Sequence, residues 1–160
     1  MKNIFLLILL SVISFSCCGS KKIVNETQQS IDTVYDEILV KKLGADDYGM
    51  KKYIIAFLKK GPYKSIDSTA ADKLQRAHLD NITKLAKEGK LVLAGPFLGN
   101  EDLRGIYIFN VETIEEAKKL TQSDPAIQAG ILTMELKEWY GSAALILLND
   151  LHKKVSKIEI

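Results

Sequence analysis

Tyr53-Ile54-Ile55-Ala56-Phe57-Leu58 is an unbroken apolar run. Successive side chains of a strand point to opposite faces, so this run predicts a strand covered on both sides. Gly61-Pro62 ends it. Beyond it the apolar spacing becomes helical from Thr69 to Glu88, with Thr69 and Asp72 read as a capping box and Gly89 as the stop. Leu91-Val92-Leu93-Ala94, closed by Gly95-Pro96, predicts a second strand, and Ile106-Tyr107-Ile108-Phe109-Asn110-Val111 a third. Thr113-Ile114-Glu115-Glu116 is a further capping box, opening a helix to about Leu120. Asp124-Pro125 starts a short helix, since aspartate suits the cap and proline the first helical position. From Thr133 to Tyr140, Met134 and Leu136 alternate with Glu135 and Lys137, the pattern of a half-exposed strand.

The order is therefore β-α-β-β-α-β, an α+β arrangement of the ferredoxin-like kind, over residues 50–140. Both helices cover one face of the sheet. The other face cannot stay wet if the first and third strands are apolar on both sides. Either a second copy packs sheet against sheet, forming a dimeric α/β barrel, or terminal helices of the same chain cover it. The dimer is the favoured expectation.

Helices are predicted on both flanks. Ile31, Val34, Tyr35, Ile38 and Leu39 form an amphipathic stripe, with Asp32 near its start, Lys41 and Lys42 near its end and Gly44 past it. This stripe is expected to lie on the domain, within a segment 17–49 whose polar residues 19–30 read as a tether. Residues 141–160 carry Ala144, Leu147, Leu148, Leu151 and Val155 at helical spacing and predict an accessory helix.

Residues 1–16 read as an address. Met1-Lys2 precedes the apolar run Ile4 to Phe15, which is short of the roughly 20 residues that span a bilayer and fits an export signal. Ser14-Phe15-Ser16-Cys17-Cys18-Gly19 resembles a bacterial lipoprotein signal. In that reading Cys17 is lipidated and ties an exported protein to the cell envelope. Phe15 departs from the usual pattern and keeps Cys18 open, and an ordinary secretory signal cut near Ser20 is the alternative. Several acyl chains on one cysteine hold a protein stably, whereas one chain binds marginally.

Composition narrows the chemistry. Across 160 residues, 22 basic and 20 acidic side chains leave a formal charge of +2, so no basic field points to nucleic acid. Two cysteines, adjacent in sequence and remote from His78 and His152, make poor material for a metal site or a disulfide framework. Nothing in the sequence requires a cofactor.

One histidine breaks the pattern. With Leu74 at zero on a helical wheel, Leu85 falls near ~20°, His78 near ~40° and Ile82 near ~80°. His78 thus sits among residues meant to face the sheet, where an unpaired polar group costs about 1–3 kcal/mol. It is either a core histidine held by a carbonyl or water, or half of a functional pair. Asp124 is the candidate partner: one carboxylate oxygen can cap the short helix while the other accepts from His78. Such a pair orients the imidazole for proton transfer. No motif indicates a serine or cysteine nucleophile. Lys59-Lys60, Arg104, His152 and the acidic turn Gly99-Asn100-Glu101-Asp102 read as surface features, and Trp139 and Tyr140 as packing.

Ala77-His78-Leu79, Leu85-Ala86-Lys87-Glu88-Gly89-Lys90-Leu91-Val92-Leu93-Ala94-Gly95-Pro96 and Asp124-Pro125-Ala126-Ile127-Gln128-Ala129-Gly130 together resemble the YCII-related family over residues 51–140. The resemblance implies a ferredoxin-like dimeric α/β barrel with a proposed active site of one histidine and one aspartate, which fall on His78 and Asp124. Ala126 departs from the family, whose members commonly carry an aromatic residue after Asp-Pro. A few relatives are similar to enzymes that dehydrochlorinate or isomerise ring compounds, while most have no established reaction. Two functions follow as expectations: an envelope-anchored homodimer that binds a small organic molecule and transfers a proton, or a non-catalytic dimerisation and docking module.

Overall fold

The computed structural model describes residues 34–63 and 67–158. The proposed signal, Cys17, Cys18 and the tether 19–30 lie outside these residues. The order is α1 (Glu37–Leu43), β1 (Met50–Lys60), α2 (Ser68–Lys87), β2 (Leu91–Pro96), β3 (Leu103–Phe109), α3 (Ile114–Gln122), α4 (Pro125–Gln128) and β4 (Leu132–Ser142). A 3₁₀ turn, Ala143–Leu147, and α5 (Leu148–Val155) complete it. The strands form one antiparallel sheet in the order β2-β3-β1-β4.

The long central strand explains the two-sided apolar run. Ile54, Ala56 and Leu58 point to the helices, where they are buried with Leu85 of α2, Leu91 of β2, Tyr107 and Phe109 of β3, and Ala117 of α3. Tyr53 points the other way and forms a second cluster with Val92 and Ile108. Burying a large apolar side chain stabilises by about 1.5–3 kcal/mol, so both faces hold the sheet together.

The far face is partly covered from within the chain. Leu145 and Ile146 of the 3₁₀ turn pack on the Tyr53 cluster, beside Ile55 and Leu93. The Tyr53 hydroxyl donates to the Ser142 carbonyl at 3.0 Å, and Asn149 Nδ2 donates to the Leu91 carbonyl at 2.8 Å, tying the end of β4 to β1 and α5 to β2. A Cβ at Gly141 would lie 2.2 Å from the Trp139 ring, which folds back over it, so a larger residue there would displace the indole.

Four expectations about the helices are corrected. The leading helix begins at its cap Asp36, whose carboxylate accepts from Ile38 and Leu39 N–H, and Ile31 and Asp32 lie outside the described residues. Its stripe is not laid on the domain: Val34, Tyr35, Ile38 and Leu39 are exposed and Leu43 alone in the helix is buried. At seven residues the helix makes about two turns, and only Leu43, in the second, is buried. Asp67, not Thr69, caps α2, accepting from Ala70 N–H at 3.0 Å, because an aspartate just ahead of Ser68 offers the stronger acceptor. The accessory helix does not run from residue 141: β4 continues to Ser142, and Leu145 and Ile146 do the packing while Leu151 and Val155 are exposed. Gly44, by contrast, ends α1 with a left-handed φ of 67°, as the sequence predicts.

Candidate functional site

α2 lies across the sheet with Leu85 and Asn81 buried, and the same side of the helix carries His78, whose side chain is 12% exposed. Opposite, α3 ends at Ser123 and the chain turns at Asp124-Pro125 into α4. Asp124 is 1% exposed. Its Oδ1 accepts from Ala126 N–H at 2.9 Å, and Pro125 occupies the first turn, where its missing N–H costs nothing. Both carboxylate oxygens lie 2.9 Å from His78 Nδ1. The two residues singled out by sequence are therefore in direct contact, across 46 positions of chain.

An ionised carboxylate is acceptor-only, so Nδ1 carries the proton in this contact and Nε2 is the nitrogen left for other work. A charge as deeply buried as that of Asp124 demands partners, and it has the imidazole and the Ala126 amide. The arrangement supplies a fixed tautomer and ring orientation, the requirement for a histidine acting as acid or base.

Tyr107 was not among the sequence candidates. It extends from β3 on the helix-facing side, 2% exposed, and its hydroxyl lies 3.3 Å from His78 Nε2 and 3.4 Å from Asp124 Oδ2. Burial, and then the negative charge and hydrogen bond of Asp124, push its phenol far above the ordinary range, so it stays protonated and donates. A hydroxyl on the inward parity of a strand otherwise apolar on both sides was the available signal. Asn81, one turn beyond His78, is a second such residue. Ser123 Oγ lies 3.1 Å from its Oδ1, while its buried Nδ2 has no hydrogen-bond partner among the described residues.

The remaining sequence candidates are placed elsewhere. His152 is exposed on α5. Arg104 donates to the Gly99 carbonyl at 3.0 Å, and Lys60 Nζ to the Asn100 carbonyl, so both pin the β2–β3 turn. Lys59 pairs with Glu135, whose carboxyl is held down at about 2 by Lys59 and then Lys137. Trp139 packs on Tyr53 with ring centroids 5.9 Å apart. Among the described residues no group of three or more histidine, cysteine, aspartate or glutamate side chains is placed to hold a metal, and no helix is long and apolar enough to cross a membrane.

Fold and site define an α+β domain with a four-stranded antiparallel sheet and a buried histidine–aspartate pair under its helices. The chain belongs to the YCII-related domain family, whose model matches residues 53–140. It is 29% identical over 62 residues to the uncharacterized protein YjpA of Bacillus subtilis (strain 168), a match that spans 39% of this chain and 71% of the relative. Among solved structures, it is similar to 5-chloro-2-hydroxyhydroquinone dehydrochlorinase (TftG) from Burkholderia phenoliruptrix AC1100, in complex with 2,5-dihydroxybenzoquinone. That similarity has a TM-score of 0.42 and 23% identity, over 56% of this chain and 93% of the other.

Proposed function

We propose that this chain binds a small organic molecule beside His78 and transfers a proton on it, in an isomerisation or elimination, with His78 as the acid or base and Asp124 as its orienting partner. The observation that carries this reading is the placement of both Asp124 oxygens 2.9 Å from Nδ1, which leaves Nε2 as the working nitrogen. The reading extends to a ferredoxin-like dimer. Ile55 and Leu93, half-buried beside the patch that Leu145 and Ile146 cover, offer apolar surface for a second copy. It also extends to anchoring at the cell envelope, supported by the run Ile4 to Phe15 followed by Ser16-Cys17.

A thermal-shift screen of small organic acids, phenols and quinones on the chain lacking residues 1–17, repeated on His78→Ala, tests the site. A ligand that stabilises the first protein and not the second supports it; equal stabilisation of both sinks it. Sizing of the same protein tests the dimer, which a monomer at high concentration would remove. Mass analysis of the N-terminal peptide from bacterial membranes tests the anchor, with acylated Cys17 the expected result and an unmodified Cys17 the contrary one.

A second reading, a non-catalytic docking module, is favoured by the position of two surface cavities. One, of about 200 Å³, lies between the end of α2, β2 and α5, near Val92, Ile146 and Asn149. The other, of about 380 Å³, lies beside the turn after α1, near Asp46, Lys51 and Tyr140. Neither is lined by His78 or Asp124. Failure of every ligand in the screen, with an intact dimer, would select this reading.

A further inference from the structure

α1 presents side chains that the fold does not use. Tyr35, just ahead of its cap, is 64% exposed and Ile38 is 82% exposed, while Leu43 is the residue of the helix that is buried. The helix is nonetheless firmly built. The Asp36 carboxylate accepts from the Ile38 and Leu39 N–H groups at 3.0 and 2.9 Å, and Gly44 closes the other end. Side chains three and four places on from a helical residue are its neighbours on the same face. From Ile38 those neighbours are Lys41 and Lys42, both exposed. Asp36 is committed to the cap, and Glu37 lies about 100° round the helix from Ile38. The outward side of α1 is therefore apolar and basic.

An occupant of this face has to match both features. A second copy would set lysines against lysines. Even buried in full, Tyr35, Ile38 and Leu39 offer roughly 500 Å², short of the about 800 Å² that each partner gives to a stable interface. A lipid surface does match. Apolar side chains enter the boundary between headgroups and acyl chains, and a tyrosine sits at headgroup level. Each lysine close to anionic lipid is worth about fivefold in binding. Position in the chain points the same way: Cys17 precedes Tyr35 by 18 residues, a reach of roughly 60 Å at most, and α1 is the first described helix after it. α5 also exposes Leu151 and Val155, but the whole domain separates it in sequence from Cys17.

We propose that the side of α1 formed by Tyr35, Ile38, Lys41 and Lys42 docks on the anionic lipid surface of the membrane that carries the chain's anchor, and so brings the domain against the bilayer. A face this small binds weakly by itself. Attachment of the same chain to the same membrane makes the contact intramolecular, and a weak contact is then enough. The inference rests on the anchoring reading, yet it can fail while the anchor stands: a chain held through its acyl groups stays with any vesicle, whereas docking needs anionic lipid.

The test uses the chain as isolated from bacterial membranes, reconstituted into vesicles of phosphatidylcholine with brominated acyl chains, with or without phosphatidylglycerol. Trp139 is the only tryptophan, so Trp139→Phe gives a dark background in which Ile38→Trp reports on α1. Gln75→Trp is the reference: it is exposed on α2, which covers the sheet face opposite the 3₁₀ turn that α1 touches. With phosphatidylglycerol present, emission from position 38 is expected to fall about twofold or more and to shift to the blue, while that from position 75 stays. Without phosphatidylglycerol, or with Lys41→Gln and Lys42→Gln combined, the fall is expected to be mostly lost, since two lysines are worth up to about 25-fold in the docked population. Emission from position 38 that is unchanged, that falls equally without phosphatidylglycerol, or that falls no more than at position 75 overturns the proposal and leaves the anchor standing. A chain absent from the membrane fraction, or washed off both vesicles, removes the anchor and the docking with it.

Discussion

Asp124 divides one carboxylate between two tasks: Oδ1 caps α4 through Ala126 N–H, while both oxygens face Nδ1 of His78 at 2.9 Å. The cap fixes where the carboxylate stands, and the carboxylate fixes how the imidazole turns. A helix start four residues long would be a minor feature of the fold if its first side chain were not also the partner of α2.

These tasks separate on substitution. Asparagine caps a helix nearly as well as aspartate, so Asp124→Asn retains α4 while it removes the charge at Nδ1 and turns one of the two oxygens there into an amide donor. Asp124→Ala loses the cap as well, which adds about 1 kcal/mol of destabilisation. Urea unfolding is expected to rank the proteins unmutated, then Asn, then Ala. Ligand binding, where the thermal-shift screen finds it, is expected to fall in both variants. An alanine variant as stable as the asparagine variant would show that the cap contributes nothing.

The pair itself is measured by a double-mutant cycle. Removing one member of a buried pair is costly, about 3–5 kcal/mol, because it strands the other. His78→Ala strands Asp124 with only the Ala126 amide and the Tyr107 hydroxyl. The combined His78→Ala, Asp124→Ala protein is therefore expected to be more stable than the two single losses add up to, with a coupling of about 0.5–3 kcal/mol. Additive losses would mean that the contact carries no energy.

How far the sequence reaches is clear from particular elements. Tyr53 to Leu58 announces a strand buried on both faces because strand periodicity is two and neither parity is polar. His78 is legible because a helical wheel places it beside Leu85, and Asp124 because it precedes Pro125. Tyr107 is not, since an aromatic ring in an apolar strand looks the same whether its hydroxyl meets a histidine or a carbonyl. The exposed stripe of Val34, Tyr35, Ile38 and Leu39 marks another limit. Periodicity declares that a helix has an apolar side but not that the chain brings anything to it.

Alkaline pH reads out the far face of the sheet. Burial pushes the Tyr53 phenol from 10.0 up to about 12, so the folded protein holds that proton after the unfolded chain has released it. A pKa raised on folding contributes stability that is present in full below pH 10.0 and is lost as the pH climbs toward about 12. At neutral pH, Tyr53→Phe is expected to lose about 1 kcal/mol with the bond to the Ser142 carbonyl. Between pH 10.0 and about 12 the gap between the two proteins is expected to shrink. Denaturant unfolding across that range checks it, and a constant gap would place the Tyr53 hydroxyl in contact with water.

The same face distinguishes cover by the chain's own terminus from cover by a second molecule. Ile146 packs on the cluster of Tyr53, Val92 and Ile108, and it is half-buried, so Ile146→Ala is expected to cost about 1–2 kcal/mol, below the range for a fully enclosed isoleucine. Because the contact lies within one chain, that loss is expected to be independent of protein concentration. Residues beyond the patch behave differently if a second copy sits there: stability and size of the unmutated protein would then depend on concentration, and Ile55→Glu would remove that dependence, since the charge blocks association and leaves the Ile146 contact intact. Denaturant midpoints and sedimentation at low and high concentration separate the cases. A concentration-dependent loss in Ile146→Ala would show that the C-terminal segment also belongs to an interface between copies, whereas Ile55→Glu with unaltered size at every concentration would leave the sheet covered by its own chain alone.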